Sequence, residues 1–194
     1  MNNTLTNAIT AAKDMIKLFC EVNKIDLNKE ILEMPVKGIN EFFEGRDQSG
    51  NNLSLEEVID DLDGSEAMVF VDDITQKPVV IYDDKKLNAL AFDDQTQIFI
   101  HEHLHFYEAI DAFNSEGLCE YGDPAAEEAE DELISILIFF YPDIEIEEGL
   151  ADFVNRINPH RLLDAYEDKE VARCMLKQLN TIGRCEVLKR LQVR

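Results

Sequence analysis

Three of the chain's four histidines fall within five residues, in the run Phe99-Ile100-His101-Glu102-His103-Leu104-His105-Phe106. Neither glycine nor proline interrupts residues 94–113, and Ile98, Phe99, Leu104, Tyr107, Ile110 and Ala112 recur at helical spacing. One helix, Asp94–Phe113, is therefore expected, with Asp93 and Asp94 suiting its positive N-terminal end. Residues i and i+4 lie one turn apart on one helical face, so His101 and His105 can point ring nitrogens at a single Zn²⁺ at about 2.0–2.1 Å. Glu102 projects beside them, within reach of a metal-bound water rather than of the metal, which is the position of a general base. His103 turns to another face and is expected to be a bystander. A bland alternative is a row of surface histidines on an acidic helix. Against it, Phe99, Ile100, Leu104 and Phe106 make the flanks those of a helix buried on its far side.

A catalytic zinc site needs a third protein ligand and an open fourth position. His160 is the only histidine outside the cluster, so a carboxylate is expected. Glu148-Gly149-Leu150-Ala151-Asp152 places Glu148 and Asp152 on one helical face. Glu148 would ligate, and Asp152 would accept the N–H of a ligand imidazole and fix its tautomer. The small Gly149 and Ala151 allow close approach of two helices. Glu127 or Glu128 is the alternative ligand. Glu127 and Asp131 share the same spacing, but they sit among Glu128, Glu130 and Glu132, which reads better as an exposed helix start.

Elsewhere Leu5, Ala8, Ile9, Ala12, Ile16, Phe19 and Cys20 define an amphipathic helix over residues 4–23, capped by Asn3 or Thr4. The segment Gly38–Gly50 reads as irregular. Ser54 with Glu57 is a capping box opening a helix to about Leu62, stopped by Asp63-Gly64. Two β-rich runs, Ala67–Val71 and Pro78–Tyr82, form a hairpin, and Pro78 places the second strand near an edge. Ala125–Phe140 and Glu147–Ile157 are further helical runs, and Arg161 to the C-terminus supplies one or two more. The organisation expected is one α+β domain over residues 1–194, mostly helical. It comprises a helical N-terminal part (1–66), the hairpin and metal-site helices (67–157) and C-terminal helices (158–194).

Charge narrows the partners. Lys and Arg number 18 against 41 Asp and Glu, giving −23, while 45% of residues are hydrophobic, too many for a disordered acidic tail. Such a surface repels phosphate backbones and anionic lipids, so neither nucleic acid nor membrane is an expected partner. The longest apolar stretch, Leu133–Tyr141, falls far short of the roughly 20 residues that span a bilayer. The N-terminus lacks the basic start and apolar centre of a secretory signal, which predicts a cytoplasmic product. Cys20, Cys119, Cys174 and Cys185 are scattered without a CxxC pair and read as reduced thiols. Asp72, Asp73, Asp83, Asp84, Asp93 and Asp94 gather around the hairpin, either lining a cleft for basic peptides or serving as turn residues.

HEHLH followed by EGLAD resembles the gluzincin branch of the zinc metallopeptidases, over roughly Ala67–Arg156. In length and in the order strand then HExxH the chain also resembles the small ImmA/IrrE-type members. The resemblance implies a zincin-like domain with a small sheet beside the metal helix, and a hydrolase in which a zinc-activated water attacks a peptide carbonyl, with Glu102 as base. It further implies a protein or peptide substrate and a Tyr or His that steadies the oxyanion. No motif marks that residue; His160, Tyr166 and Tyr141 are candidates. Two other classes compete. One is an acidic, non-catalytic inhibitor that mimics nucleic acid, suggested by the charge but leaving HExxH unexplained. The other is a vestigial zinc-binding interaction module. Phosphate-cradling glycine loops are absent from the sequence.

Overall fold

The structure, a computed structural model, describes residues 3–27, 30–43, 55–72, 74–106, 124–143 and 174. The chain divides into two compact units, one of Met1–Asp14 with Leu27–Tyr107 and the other of Met15–Asp26 with Glu108–Arg194. The fold is α+β, mostly helical with one small sheet, as the sequence predicts. Among the described residues no helix is long and apolar enough to cross a membrane.

Helix α1 spans Asn3–Asn23. Its buried stripe is Leu5, Ala8, Ala12, Ile16, Phe19 and Cys20, with Ile9, also expected in the stripe, only half-buried at its border. Because the helix begins at Asn3, Asn3 and Thr4 are helical residues rather than its cap. Burial pushes the Cys20 thiol up to about 11, which makes it a core residue with little thiolate character.

In the first unit the sheet order is β1-β3-β2, with β1 Leu32–Pro35, β2 Ala67–Asp72 and β3 Lys77–Tyr82. The hairpin β2/β3 forms in antiparallel register, Ala67 opposite Tyr82 and Asp72 opposite Lys77. Its turn is built by Asp72, whose carbonyl accepts from the Gln76 amide at 2.7 Å and whose carboxylate accepts from the amides of Ile74 and Thr75. The expectation that Pro78 marks an edge strand is corrected here: β3 is the central strand. Pairing with β1 starts at Leu32 opposite Val79, one residue beyond Pro78, so the proline lies in the two-stranded part of the sheet. As a strand covered on both faces, β3 reads as a continuous apolar run, with Pro78, Val79, Val80 and Ile81 all buried.

Each face of β3 has its own cover. Val79 and Ile81 join Ile39, Val58 and Leu62 in a core cluster, with Met68 and Phe70 of β2 packed against it. Ile39 opens α2 (Ile39–Phe43), and Val58 and Leu62 belong to α3 (Leu55–Gly64). A short 3-10 turn, Val36–Gly38, leads into α2, so the part of Gly38–Gly50 up to Phe43 is helical rather than irregular. Burying Ile39 and Phe42 on the cluster outweighs the weak local propensity. Residues 44–50 and the capping pair Ser54 and Glu57 lie outside the described residues and side chains.

On the opposite face, Val80 and Tyr82 point toward α5 (Phe92–Leu104), where the Tyr82 and Phe99 rings meet edge to face at 5.4 Å. Between sheet and helix runs α4, Asp84–Asn88, capped by the Asp83 carboxylate accepting from the Lys85 and Lys86 amides at 2.8 and 3.2 Å. The Lys86 ammonium donates to the carbonyls of Leu62, Asp63 and Ser65 at 2.7, 2.8 and 3.0 Å, satisfying the C-terminal end of α3. Gln95 then donates from Nε2 to the Leu87 and Leu90 carbonyls, which sets where α5 leaves α4.

In the second unit, α6 spans Pro124–Phe140, with proline at the first helical position, where its missing N–H costs nothing. Ile134, Ser135, Leu137 and Ile138 are buried, matching the acidic-then-apolar pattern of the sequence. Glu147–Ile157 and the helices expected after Arg161 lie outside the described residues, apart from the buried, helical Cys174.

Candidate metal centre

Helix α5 starts on Phe92 with Asp93 and Asp94 in its first turn, where negative charge meets the positive end of the helix. Its end corrects the expected boundary. The helix stops at Leu104, His105 occupies the C-cap, and Phe106 returns its amide to the His103 carbonyl at 3.2 Å. Residues 107–113 of the expected helix lie outside the described residues. The HExxH motif therefore forms the final turn of α5.

The i, i+4 spacing brings His101 and His105 together as expected, with ring centroids 4.8 Å apart and planes at 89°. His101 is half-buried, His105 exposed and Glu102 half-buried. Within the first unit, His101 and His105 each offer one ring nitrogen close enough to the other for both to meet a single metal ion. Two imidazoles are donors that zinc accepts, whereas calcium and magnesium take oxygen ligands. The donors present thus fit a zinc-type ion. In the second unit, Glu128, one of the two alternative ligand carboxylates with Glu127, is half-buried near the start of α6. Glu148, Asp152, His160 and Tyr166 lie outside the described residues. Tyr141 is half-buried just past α6, its amide donating to the Leu137 carbonyl at 2.8 Å.

His103 faces away from the pair, as its helical position requires, but it is not a bystander. Its side chain is 2% exposed and lies against two acceptors: Nδ1 donates to the Phe99 carbonyl oxygen at 2.6 Å, and Nε2 meets Glu33 Oε1 at 3.0 Å. Glu33, on β1 opposite Val80, points to the α5 face of the sheet and also pairs with Lys13 of α1. Burial pushes the Glu33 carboxyl up, but the hydrogen bonds from His103 and Lys13 and their charge outweigh it and hold the group below the ordinary 4.5. Sequence reading missed Glu33. Its signal was a single charge inside the short apolar stretch Ile31-Leu32-Glu33-Met34.

The acids near the sheet serve structure: Asp72 builds the hairpin turn, Asp83 caps α4, and Asp84 accepts from Lys37 at 2.8 Å.

The described residues thus define an α+β protein with a histidine pair suited to a metal ion. No protein-family model matches the sequence, and no curated protein and no solved structure matches it.

Proposed function

We propose that the protein is a zinc-dependent peptidase in which His101, His105 and a glutamate hold the metal and Glu102 is the general base. The observation that carries this reading is one helical turn presenting two imidazoles on one face with a half-buried carboxylate between them in sequence. Glu128 and Glu148 are the two candidates for the ligand carboxylate. When bound, such an ion supplies a water acidified from a pKa of about 15.7 toward about 7 and a Lewis acid for a carbonyl oxygen. Glu102 would accept a proton as the water oxygen bonds to the carbonyl carbon, and would then deliver that proton to the amine nitrogen as the C–N bond breaks.

A peptide is the substrate class best suited to the surroundings. β2 lies at one edge of the sheet, and α5 packs against β2. An extended peptide can add to that edge by backbone hydrogen bonds and so pass beside the helix that carries the motif. The test is to offer excess zinc to metal-free protein, wash it, count the metal and assay it against a mixed peptide library. We expect one zinc per chain and cleavage of some peptides. Glu102→Gln should keep the metal and lose about 100-fold or more of turnover, because an amide cannot take up the proton. Binding well below one zinc per chain would remove the metal reading, and unchanged turnover in Glu102→Gln would remove Glu102 as base.

A further inference from the structure

The metal-binding turn is the last turn of α5, and helix ends are where intrahelical bonds run out and local opening is easiest. Residues advance about 100° around a helix, so His103 sits about 180° from the midpoint of His101 and His105. Its contacts therefore resist rotation of that turn. At a ring-atom radius of roughly 6 Å, each 10° of rotation moves a ligand nitrogen by about 1 Å, several times the tolerance of a zinc–nitrogen bond. The apolar neighbours Ile100, Leu104 and Phe106 are buried, but apolar burial is non-directional and fixes rotation weakly. The hydrogen bond from His103 Nε2 to Glu33 Oε1, reaching from the helix to β1, is directional. Glu33 is in turn tied to Lys13 and seated in parallel register against β3.

We propose that Glu33 is a positioning residue for the metal centre. Through His103 it holds the ligand turn at the angle that lets His101 and His105 face one ion. The proposal rests on the metal reading above, and its test separates the two. Zinc affinity is measured by competition against a chelator of known affinity, with cobalt absorption as a reading of ligand geometry. Glu33→Met keeps the size of the side chain but removes the acceptor; Glu33→Gln keeps an acceptor oxygen. Glu33→Met should bind zinc tenfold or more weakly and change the cobalt spectrum, while Glu33→Gln stays within about threefold of wild type. Lys13→Met should also stay close to wild type. Wild-type protein that binds no zinc overturns the metal reading and this proposal with it. Wild-type protein that binds while Glu33→Met binds equally well overturns the positioning role alone, as does an equal loss in Lys13→Met. A second measurement needs no variant. In ¹⁵N-labelled metal-free protein, the His103 Nε2–H should resonate downfield and exchange slowly with water. A His103 ring exchanging like free imidazole would overturn the proposal even if Glu33→Met failed to fold.

Discussion

Replacing His103 by alanine should damage stability as well as metal affinity, whereas replacing His105 should damage metal affinity with little change in stability. The His103 side chain is 2% exposed and satisfies two acceptors, the Phe99 carbonyl and the Glu33 carboxylate. Removing it empties a ring-sized volume and takes one partner from a half-buried anion. Breaking a buried pair from one side costs about 3–5 kcal/mol. Glu33 is 14% exposed and keeps Lys13, so part of that cost is recovered by water and by the ammonium. A figure of about 2–3 kcal/mol follows, which for a chain of this size lowers the midpoint by roughly 4–12 °C. His105 is exposed at the helix end, its ring meeting His101 edge to face, so far less burial is lost with it. His105→Ala should melt with wild type in the presence of a chelator, yet lose zinc affinity as a missing ligand does. The assay is thermal unfolding of metal-free protein paired with zinc competition on the same preparations. Equal destabilisation by the two substitutions, or zinc loss from His103→Ala exceeding that from His105→Ala, would refute the division of roles.

The third ligand can be assigned by comparing Glu128→Ala with Glu148→Ala. We expect one of the two variants alone to lose tenfold or more in zinc affinity, which names the ligand, and wild-type affinity in both would exclude the pair. Acid should also act through Glu33. Its folded carboxyl titrates below the ordinary 4.5, so its stabilising share is complete above that value and is lost as pH falls through the folded value. Melting midpoints measured downward from pH 6 should therefore fall more in wild type than in Glu33→Gln, and parallel curves would exclude the contribution.

Local patterns were legible in the sequence. The α1 stripe, the hairpin, α6 and the His101–His105 pair depend on spacings within one element, and periodicity reports those directly. What escaped depends on pairing across the chain. β1 is four residues long and exists because it pairs in parallel with β3, 47 residues on at Leu32 opposite Val79. Pro78 misled for the same reason: whether a strand is central is a property of its neighbours, and β1 could not be seen. Glu33 stands 70 residues from His103. Its role became visible only when the sheet placed Val80, Tyr82 and Glu33 on the face that α5 covers. The early end of α5 has a similar origin. No helix breaker sits near Leu104, so periodicity alone carried the expected helix past it.

The placement of the motif at the carbonyl end of α5 also bears on why a chain so acidic would hold a cation at this point rather than diffusely. Unsatisfied carbonyls give a helix C-terminus about half a negative charge, which favours a nearby cation by about 0.3–1 kcal/mol. Asp93 and Asp94 occupy the opposite end, where the same dipole favours anions, so the charges along α5 agree with its backbone at both ends. The net −23 adds a general attraction for cations, but salt screens it beyond about 8–10 Å. Neither effect distinguishes one divalent ion from another. Discrimination has to come from the donors: exposed carboxylates suit calcium and magnesium, whereas two imidazoles on one turn suit zinc-type ions. In the proposed centre, the acidity would concentrate cations near the surface while the turn held by Glu33 and His103 would select among them.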